Sequence, residues 1–397
     1  MNTKLLILGP GAPSRETSGL GKATAHLVTE LSKKNDLTLV EPRQLGELAT
    51  HTNAQRNTTA FSDLSILQEL ATVSIEAQLS AYHYQEISHT KTMEKVESKK
   101  LHNQLTAFTE ELVLAGKKID FDLLYAHDWI TFKAALELKE KFGKPLLLHV
   151  HSLDYDRNFG KEKSWIFDLE KKAMETAEAV IAISAYSKKI MIEQYGIYAD
   201  KIHVIYHGHS HQKRTKINNP FTEKVVLFVG RLSGQKGPMQ FLKIAEKVYE
   251  KYPDSRFVMA GDGDLYKKLI VAGAGSEIAG RFHITGHLDQ TELQKLYAIA
   301  NVYCMPSFSE PFGLTALEAA EAKVPLVLSK NCGAAELLTE AKLATPGDSD
   351  DFADAILEIL ENPTIAEAQV KANKKSIEKL NWGQSADEVL AVAESIL

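Results

Sequence analysis

Four loops carry the residues of this sequence that could do chemistry, and each follows a short apolar run. The first, GPGAPSRETSGLGK from Gly9 to Lys22, leads into a helix-period segment from Leu20. Its glycines, Gly19 and Gly21 among them, let backbone N–H groups approach an anion at a helix start. It fits neither standard phosphate fingerprint. Glu16 stands where a P-loop needs its first glycine and Ala23 where it needs a hydroxyl, and Gly9-Pro10-Gly11 lacks the third glycine of a dinucleotide turn. The second loop, GRLSGQKG from Gly230 to Gly237, carries Arg231 and Lys236 around Gly234. A planar guanidinium and a point-charge ammonium on so short a loop could converge on one polyphosphate. Pro238 then suits a first helical turn. The third, PSFSEPFGLTALEAAE from Pro306 to Glu321, sets Gly313 and Leu314 at a helix opening, with Glu310 before it and Glu318 one turn inside. Helix-start N–H groups attract phosphate, while the carboxylates would accept from ribose or hexose hydroxyls, each contributing about 1.5–3 kcal/mol where desolvated. The fourth set is a pair of strand ends, Ala126-His127-Asp128-Trp129 and HVHSLDYDR from His149 to Arg157, offering Asp128 and His151.

Each feature has an ordinary structural counterpart. Surface cations are commonly just solvated, Glu318 could serve as a helix-dipole partner, and a lone histidine is more often structural than catalytic. Three D-x-D triplets, Asp154-Tyr155-Asp156, Asp262-Gly263-Asp264 and Asp348-Ser349-Asp350, could hold a divalent ion, yet such triplets arise by chance in an acidic chain. His207, His209 and His211 could ligate zinc, but a polar linker is the favoured reading. No metal site is therefore expected.

The elements that must position these loops alternate almost end to end. Strands are predicted at Lys4–Leu8, Leu37–Val40, Leu123–Ala126, Pro145–Val150, Ala179–Ile183 and His203–Tyr206, then at Val225–Val229, Arg256–Ala260, His283–Thr285, Val302–Met305 and Pro325–Ser329. Helix-period segments separate them, which is the pattern of parallel α/β sheets. Two doubly wound, Rossmann-like domains follow: 1–212, joined by a C-terminal helix 381–397, and 213–380. The break falls in the polar stretch from His209 to Lys224, which contains Pro220. From about Asp350 the pattern is wholly helical, and Trp382 opens a last amphipathic helix. Arg43 to Lys118, long, polar and helix-prone, with Tyr82-His83-Tyr84 inside it, carries no readable element boundaries. Open α/β sheets bind ligands beyond the carboxyl ends of their strands, where the four loops lie.

Composition sets the outer limits. The chain has 397 residues, 44% hydrophobic and 25% charged, which excludes disordered, collagen-like and coiled-coil classes. With 46 basic against 52 acidic residues and no basic block, nucleic-acid binding is disfavoured. The cysteines, Cys304 and Cys332, offer no disulfide framework or metal spacing. No apolar run is long enough for a membrane span or a secretory leader, so a cytoplasmic location is expected, with peripheral contact through a helical face left open.

Taken in order, GLGK, AHDW, HVHS, GRLSGQKG, AGDGD, SEPFGLTALEAAE and KVPLVLSKNCGAAELL resemble the retaining glycosyltransferases of family four, whose fold is GT-B. The likeness runs from about Met1 to Ala344, excepting Arg43 to Lys118, and leans toward the glycogen- and starch-synthase-like branch. The Glu310 to Glu318 interval is that family's E-x7-E pair. The resemblance implies two Rossmann-like domains facing across a cleft. It also implies a nucleotide-diphosphate sugar as donor substrate, no cofactor or metal, and a carbohydrate or other hydroxyl acceptor such as an α-glucan. By the same resemblance Arg231 and Lys236 would hold the diphosphate with backbone groups of Phe312, Gly313 and Leu314. Glu318 would bind the ribose and Glu310 the transferred sugar. His151 would contact the sugar near the reacting carbon, Asp128 would line the acceptor side, and Gly19 and Gly21 would approach the phosphates. Tyr206-His207-Gly208-His209 departs from the family's usual Asn-Gly before the hinge. A GT-B sugar-nucleotide epimerase, a pyridoxal-phosphate phosphorylase and a non-catalytic nucleotide-sugar-binding regulator are the competing readings, and the oligomeric state is not legible.

Overall fold

The computed structural model describes residues 3–9, 19–43, 71–76, 91–160, 163–210 and 217–397. Pro10, Gly11 and Glu16 of the first loop, the Tyr82-His83-Tyr84 cluster and His211 lie outside the described residues. The chain divides into two compact units. Unit 1 is Met1–Tyr155, Gly160–Gly208 and Asn381–Leu397, and unit 2 is Asp156–Phe159 and His209–Leu380. The division expected after residue 212 falls after Gly208, and the four-residue piece Asp156–Phe159 groups with unit 2.

Unit 1 is built on strands β1 (Lys4–Leu8), β2 (Asp36–Arg43), β3 (Ala71–Glu76), β4 (Leu123–His127), β5 (Leu146–Val150), β6 (Ala179–Ala182) and β7 (Ile202–Val204). They form one parallel sheet in the order β3-β2-β1-β4-β5-β6-β7. Every residue of β4, β5 and β6 is buried, as expected for parallel strands covered on both faces. The crossovers are helices α1 (Gly19–Ser32), α2 (Lys91–Gly116), α3 (Trp129–Phe142), α5 (Trp165–Thr176) and α6 (Ala185–Glu193), with the short α4 (Asp154–Asn158) between β5 and α5. Ser164 and Ser184 start α5 and α6 by accepting the N–H of Ile166 and Ser187, which satisfies donors that a helix start leaves open.

Unit 2 repeats the plan with β8 (Lys224–Val229), β9 (Ser255–Ala260), β10 (Phe282–Gly286), β11 (Val302–Met305), β12 (Leu326–Ser329) and β13 (Lys342–Ala344), all parallel in the order β10-β9-β8-β11-β12-β13. Its helices are α7 (Pro238–Lys251), α8 (Tyr266–Ala274), α9 (Gln290–Ile299), α10 (Leu314–Glu321), α11 (Ser349–Glu361) and α12 (Pro363–Ile377). Phe241, Leu242, Ile244, Ala245 and Val248 make the buried stripe of α7, at the spacing of one helix face. The last helix, α13 (Trp382–Ser395), belongs to unit 1, where Ser385 Oγ donates to the Tyr206 carbonyl and a Cβ on Gly208 would overlap the Trp382 backbone.

The doubly wound α/β class and the predicted strands are present, and two strands were not foreseen. β3 lies in the segment read as helix-prone. Its six residues ATVSIE are flanked by long polar stretches, and α2 accounts for the helical character downstream. β13 has three residues, too few for a periodic signal.

Candidate functional site

In unit 2 the chemistry collects at the carboxyl ends of β8 and β11, the central pair of the sheet. After β8 the chain runs through Gly230 and Arg231 into a single 3-10 turn, Gly234–Lys236, and then α7. Gly237 has φ +70°, and a Cβ there would overlap the Pro306 carbonyl oxygen, so the loop after β8 presses against the loop after β11 at a point only glycine tolerates. Gln235, buried, ties the same two loops: its side-chain amide donates to the Ser309 carbonyl at 3.1 Å, and its own carbonyl accepts from the Phe308 N–H at 2.9 Å. Behind both, Gly261 and Gly263 take φ +150° and +157° and pack against the backbone of Gly230 and Leu232. Leu232 donates to the Asp262 carbonyl at 2.9 Å, and Leu265 donates to the Leu232 carbonyl at 3.0 Å. The AGDGD stretch is thus a backbone support for the cation loop. Its Asp262 carboxylate accepts from the Gly263 N–H.

The paired loops bring Lys236 Nζ to 2.5 Å from Glu310 Oε2. Glu310 is 6% exposed and held by backbone on both sides: its N–H donates to the Asn331 carbonyl at 2.8 Å, and its carbonyl accepts from Gly333 at 2.9 Å. Burying a carboxylate costs its hydration unless a cation or hydrogen-bond donors offset the loss, and Lys236 supplies the cation. Arg231 lies half-buried at the head of the same loop. Gly313 has φ +107° and begins α10 without a side-chain cap, whereas Asp289 and Asp348 cap α9 and α11. Uncapped, the first-turn N–H groups of α10 form the positive end of the helix next to Lys236 and Glu310. Phe312 is buried, and its carbonyl is taken by the Ala334 N–H at 2.6 Å. The contribution of Phe312 is therefore not its carbonyl. One turn into α10, Glu318 Oε2 accepts from Tyr297 OH at 3.1 Å, which fixes the carboxylate. Burial and the Glu318 charge hold the Tyr297 phenol protonated, well above its ordinary range.

Residues 330–338 close the KVPLVLSKNCGAAELL motif, to which the sequence assigns no role. They carry the brace for this site: Asn331 and Gly333 hold the Glu310 backbone, and Cys332 Sγ donates to the Phe312 carbonyl at 3.3 Å. Burial and the Glu310 carboxylate push the Cys332 thiol up to about 12, so it stays a protonated packing group. A free cysteine beside an E-x7-E glutamate gives no signal in a lone sequence, because the two meet only through the β11–β12 pairing.

In unit 1 the functional candidates stand at the ends of β4 and β5. His127 pairs in register with His149, and His151 follows two residues on, so the three imidazoles share one face of the sheet. With His207 they form a buried stack of near-parallel rings. His127 Nδ1 lies 2.9 Å from His151 Nε2, His151 Nδ1 lies 3.4 Å from His207 Nε2, and Tyr125 OH lies 2.6 Å from His149 Nδ1. His207 is thus a core group of unit 1 and not part of a polar linker. Its backbone leads into Gly208, which is wedged under Trp382. Asp128 does not present its carboxylate outward: Oδ1 accepts from the N–H of His151 at 2.6 Å and of Ser152 at 3.3 Å. It does so from φ 57° and ψ 167°, a conformation costly for any residue with a Cβ, which the surrounding hydrogen bonds sustain. Asp128 thereby fixes the backbone that carries His151. Gly19 opens α1, and Gly21 is buried in its first turn.

Burial keeps the four histidines neutral, and repulsion from neighbouring rings adds to it for His127, His149 and His151. His127 and His207 are lowered to about 3, and His149 and His151 fall well below 6.5. Unfolded, each would titrate at its ordinary value of about 6.5. The unfolded chain therefore binds more protons as pH falls, and the stabilisation, complete above about 6.5, is lost on acidification toward the folded values. Between pH 7.5 and 5.5, His127 and His207 should each withdraw about 1.4 kcal/mol of stability. A urea midpoint for unit 1 that drops over this interval, and drops less in His207→Gln, checks the sign. By distance alone His127, His149 and His151 could share an ion. The planes of His149 and His151 are only 8° apart at a 4.2 Å centroid separation, so their in-plane lone pairs run side by side and do not converge. The D-x-D triplets are also occupied structurally: Asp154 accepts from Ser164 Oγ, Asp156 accepts from Ser309 Oγ, and Asp348 caps α11.

These two parallel-sheet units, with polar loops gathered at strand carboxyl ends, define the GT-B class of α/β protein. The family model for glycosyltransferase family 4 matches residues 17–213, and that for glycosyl transferases group 1 matches residues 210–377. A glycogen synthase of Mycobacterium tuberculosis is 27% identical over 265 residues, covering 64% of this chain and 64% of that synthase. The match thus spans less than two thirds of the relative. Among solved structures, a sucrose-phosphate synthase from Thermosynechococcus elongatus superposes with a TM-score of 0.79 at 20% identity, covering 99% of both chains. The Anabaena protein HepE in complex with UDP-glucose superposes with a TM-score of 0.71 at 17% identity, covering 99% of this chain and 100% of that one. The chain belongs to the family-four-type glycosyltransferases of the GT-B fold. No helix among the described residues is long and apolar enough to cross a membrane.

Proposed function

We propose that the chain transfers a hexosyl group, glucosyl foremost, from a nucleoside-diphosphate sugar to a hydroxyl acceptor with retention of configuration. The observation that carries this reading is the Lys236–Glu310 pair set against the uncapped start of α10. Breaking a glycosyl–phosphate bond leaves positive charge on the sugar and negative charge on the departing diphosphate. In this reading Lys236, Arg231 and the α10 N–H groups face the negative charge that would develop there, and charge carriers held in place beforehand lower the barrier without reorganising. Glu310 orients the sugar hydroxyls and Glu318 those of the ribose. The Anabaena neighbour's UDP-glucose complex supports a donor of this class.

Retention follows from a same-face displacement. The bond from the anomeric carbon to the diphosphate oxygen breaks, the acceptor oxygen bonds to that carbon, and the acceptor proton passes to the departing oxygen. The chemistry asks no carboxylate nucleophile of the protein. The cations named above carry the charge, so the reading requires no metal. The acceptor is a carbohydrate or other hydroxyl compound, an α-glucan among them, and the expected setting is the cytoplasm.

A screen of UDP-, ADP- and GDP-sugars with product masses, run with and without excess chelator, tests this. Transfer from at least one donor, unchanged by chelator, is expected. Donor conversion without any acceptor would favour an epimerase, binding without turnover would favour a regulator, and loss of turnover with chelator would contradict the metal-free step.

A further inference from the structure

The histidine stack is more than packing, because two of its contacts form a directed chain through His151. His151 uses both ring nitrogens, Nε2 toward His127 Nδ1 and Nδ1 toward His207 Nε2. All three rings are neutral, so each carries one proton and each contact has one donor. The direction is set at the far end. His127 Nε2 is buried and has no hydrogen-bond partner among the described residues. If His127 Nδ1 accepted, that Nε2 would carry a buried N–H with nothing to receive it, and an orphaned donor is the rarer and costlier outcome. His127 Nδ1–H therefore donates, His151 Nε2 accepts, and His151 bears its proton on Nδ1, directed at His207. The His127 contact is the firm one at 2.9 Å, while the His207 contact at 3.4 Å is near the limit of a hydrogen bond and is easily exchanged.

We propose that His127 is a positioning residue that locks His151 as the Nδ1–H tautomer, so that His151 donates to a substrate hydroxyl oxygen in exchange for His207. The role of His151 as a substrate contact rests on the reading under Proposed function, whereas the tautomer itself does not. Register makes the arrangement: β4 and β5 place His127 beside His149, and the two-residue step to His151 keeps the rings on one face. Asp128 holds the His151 backbone while His127 holds its ring.

Nitrogen-15 NMR of histidine-labelled protein tests this, with the His151 signals identified as those lost in His151→Gln. The wild type should show His151 protonated on Nδ1 at neutral pH. His127→Phe keeps a ring of similar size without the donor. It should move His151 toward the Nε2–H form and lower kcat for sugar transfer about tenfold, roughly one hydrogen bond, with KM for the acceptor unchanged. His127→Asn, which restores an N–H donor, should recover both. A wild-type His151 protonated on Nε2 overturns the proposal, and so does a His127→Phe variant with unaltered tautomer or unaltered kcat. If the wild type transfers no sugar at all, the functional reading fails while the tautomer result still decides the lock.

Discussion

Lys236→Ala is expected to lower sugar transfer about 30- to 1,000-fold, corresponding to about 2–4 kcal/mol of lost transition-state stabilisation. In the proposed reaction the charge that Lys236 would face is largest as the diphosphate departs, so the loss should appear in kcat more than in KM. A second effect accompanies it. Lys236 is the partner of the buried Glu310, and removing it strands a carboxylate, which also costs stability. The two consequences separate in the double variant with Glu310→Gln, which should regain stability and stay slow. Arg231→Ala leaves the Lys236–Glu310 pair in place and should lose transfer by a similar factor with the fold unaltered. Steady-state rates with the preferred donor, beside thermal melts, check both. Wild-type rates in the two single variants would remove the cations from the mechanism.

The other large effect belongs to a residue with no side chain. Gly261→Ala should destabilise unit 2 by about 3 kcal/mol or more, because its φ of +150° disfavours any Cβ and the added carbon would overlap the Gly230 carbonyl oxygen. The backbone that would have to move leads directly into Arg231, so transfer should fall together with stability. Gly280→Ala is the matched control: nothing lies within 4 Å of a Cβ there and its φ is unstrained, and the change should stay within about 0.5 kcal/mol. Urea unfolding of both variants measures the difference, and equal midpoints would contradict the support role given to the AGDGD turn.

Much of this architecture was legible because parallel strands buried on both faces are continuous apolar runs. β4, β5, β8 and β11 stand out for that reason, and the loops after them follow at once. β3 was not legible, since six residues inside a long helix-favouring segment become a strand only by pairing with β2. In unit 2 the candidate residues could be read as residue types, Arg231, Lys236, Glu310, Gly313 and Glu318, but not as contacts. The approach of Lys236 to Glu310 depends on Gln235 and Gly237 locking two loops 74 residues apart in sequence. In unit 1 the sequence shows three histidines and an aspartate near strand ends. That Asp128 turns its carboxylate to the backbone, and that His207 completes a buried stack from a segment resembling a linker, are consequences of packing with no local pattern to announce them.

The central claim is that the paired loops of unit 2 grip a diphosphate. Calorimetric binding of a nucleoside, its monophosphate and its diphosphate, using the base chosen by the donor screen, tests this most directly in the wild type and in Lys236→Ala. The diphosphate should bind the wild type at least about a hundredfold more tightly than the nucleoside, roughly 2.7 kcal/mol, and most of that margin should vanish in the variant. Equal affinity for nucleoside and diphosphate, or an undiminished margin without Lys236, would contradict it.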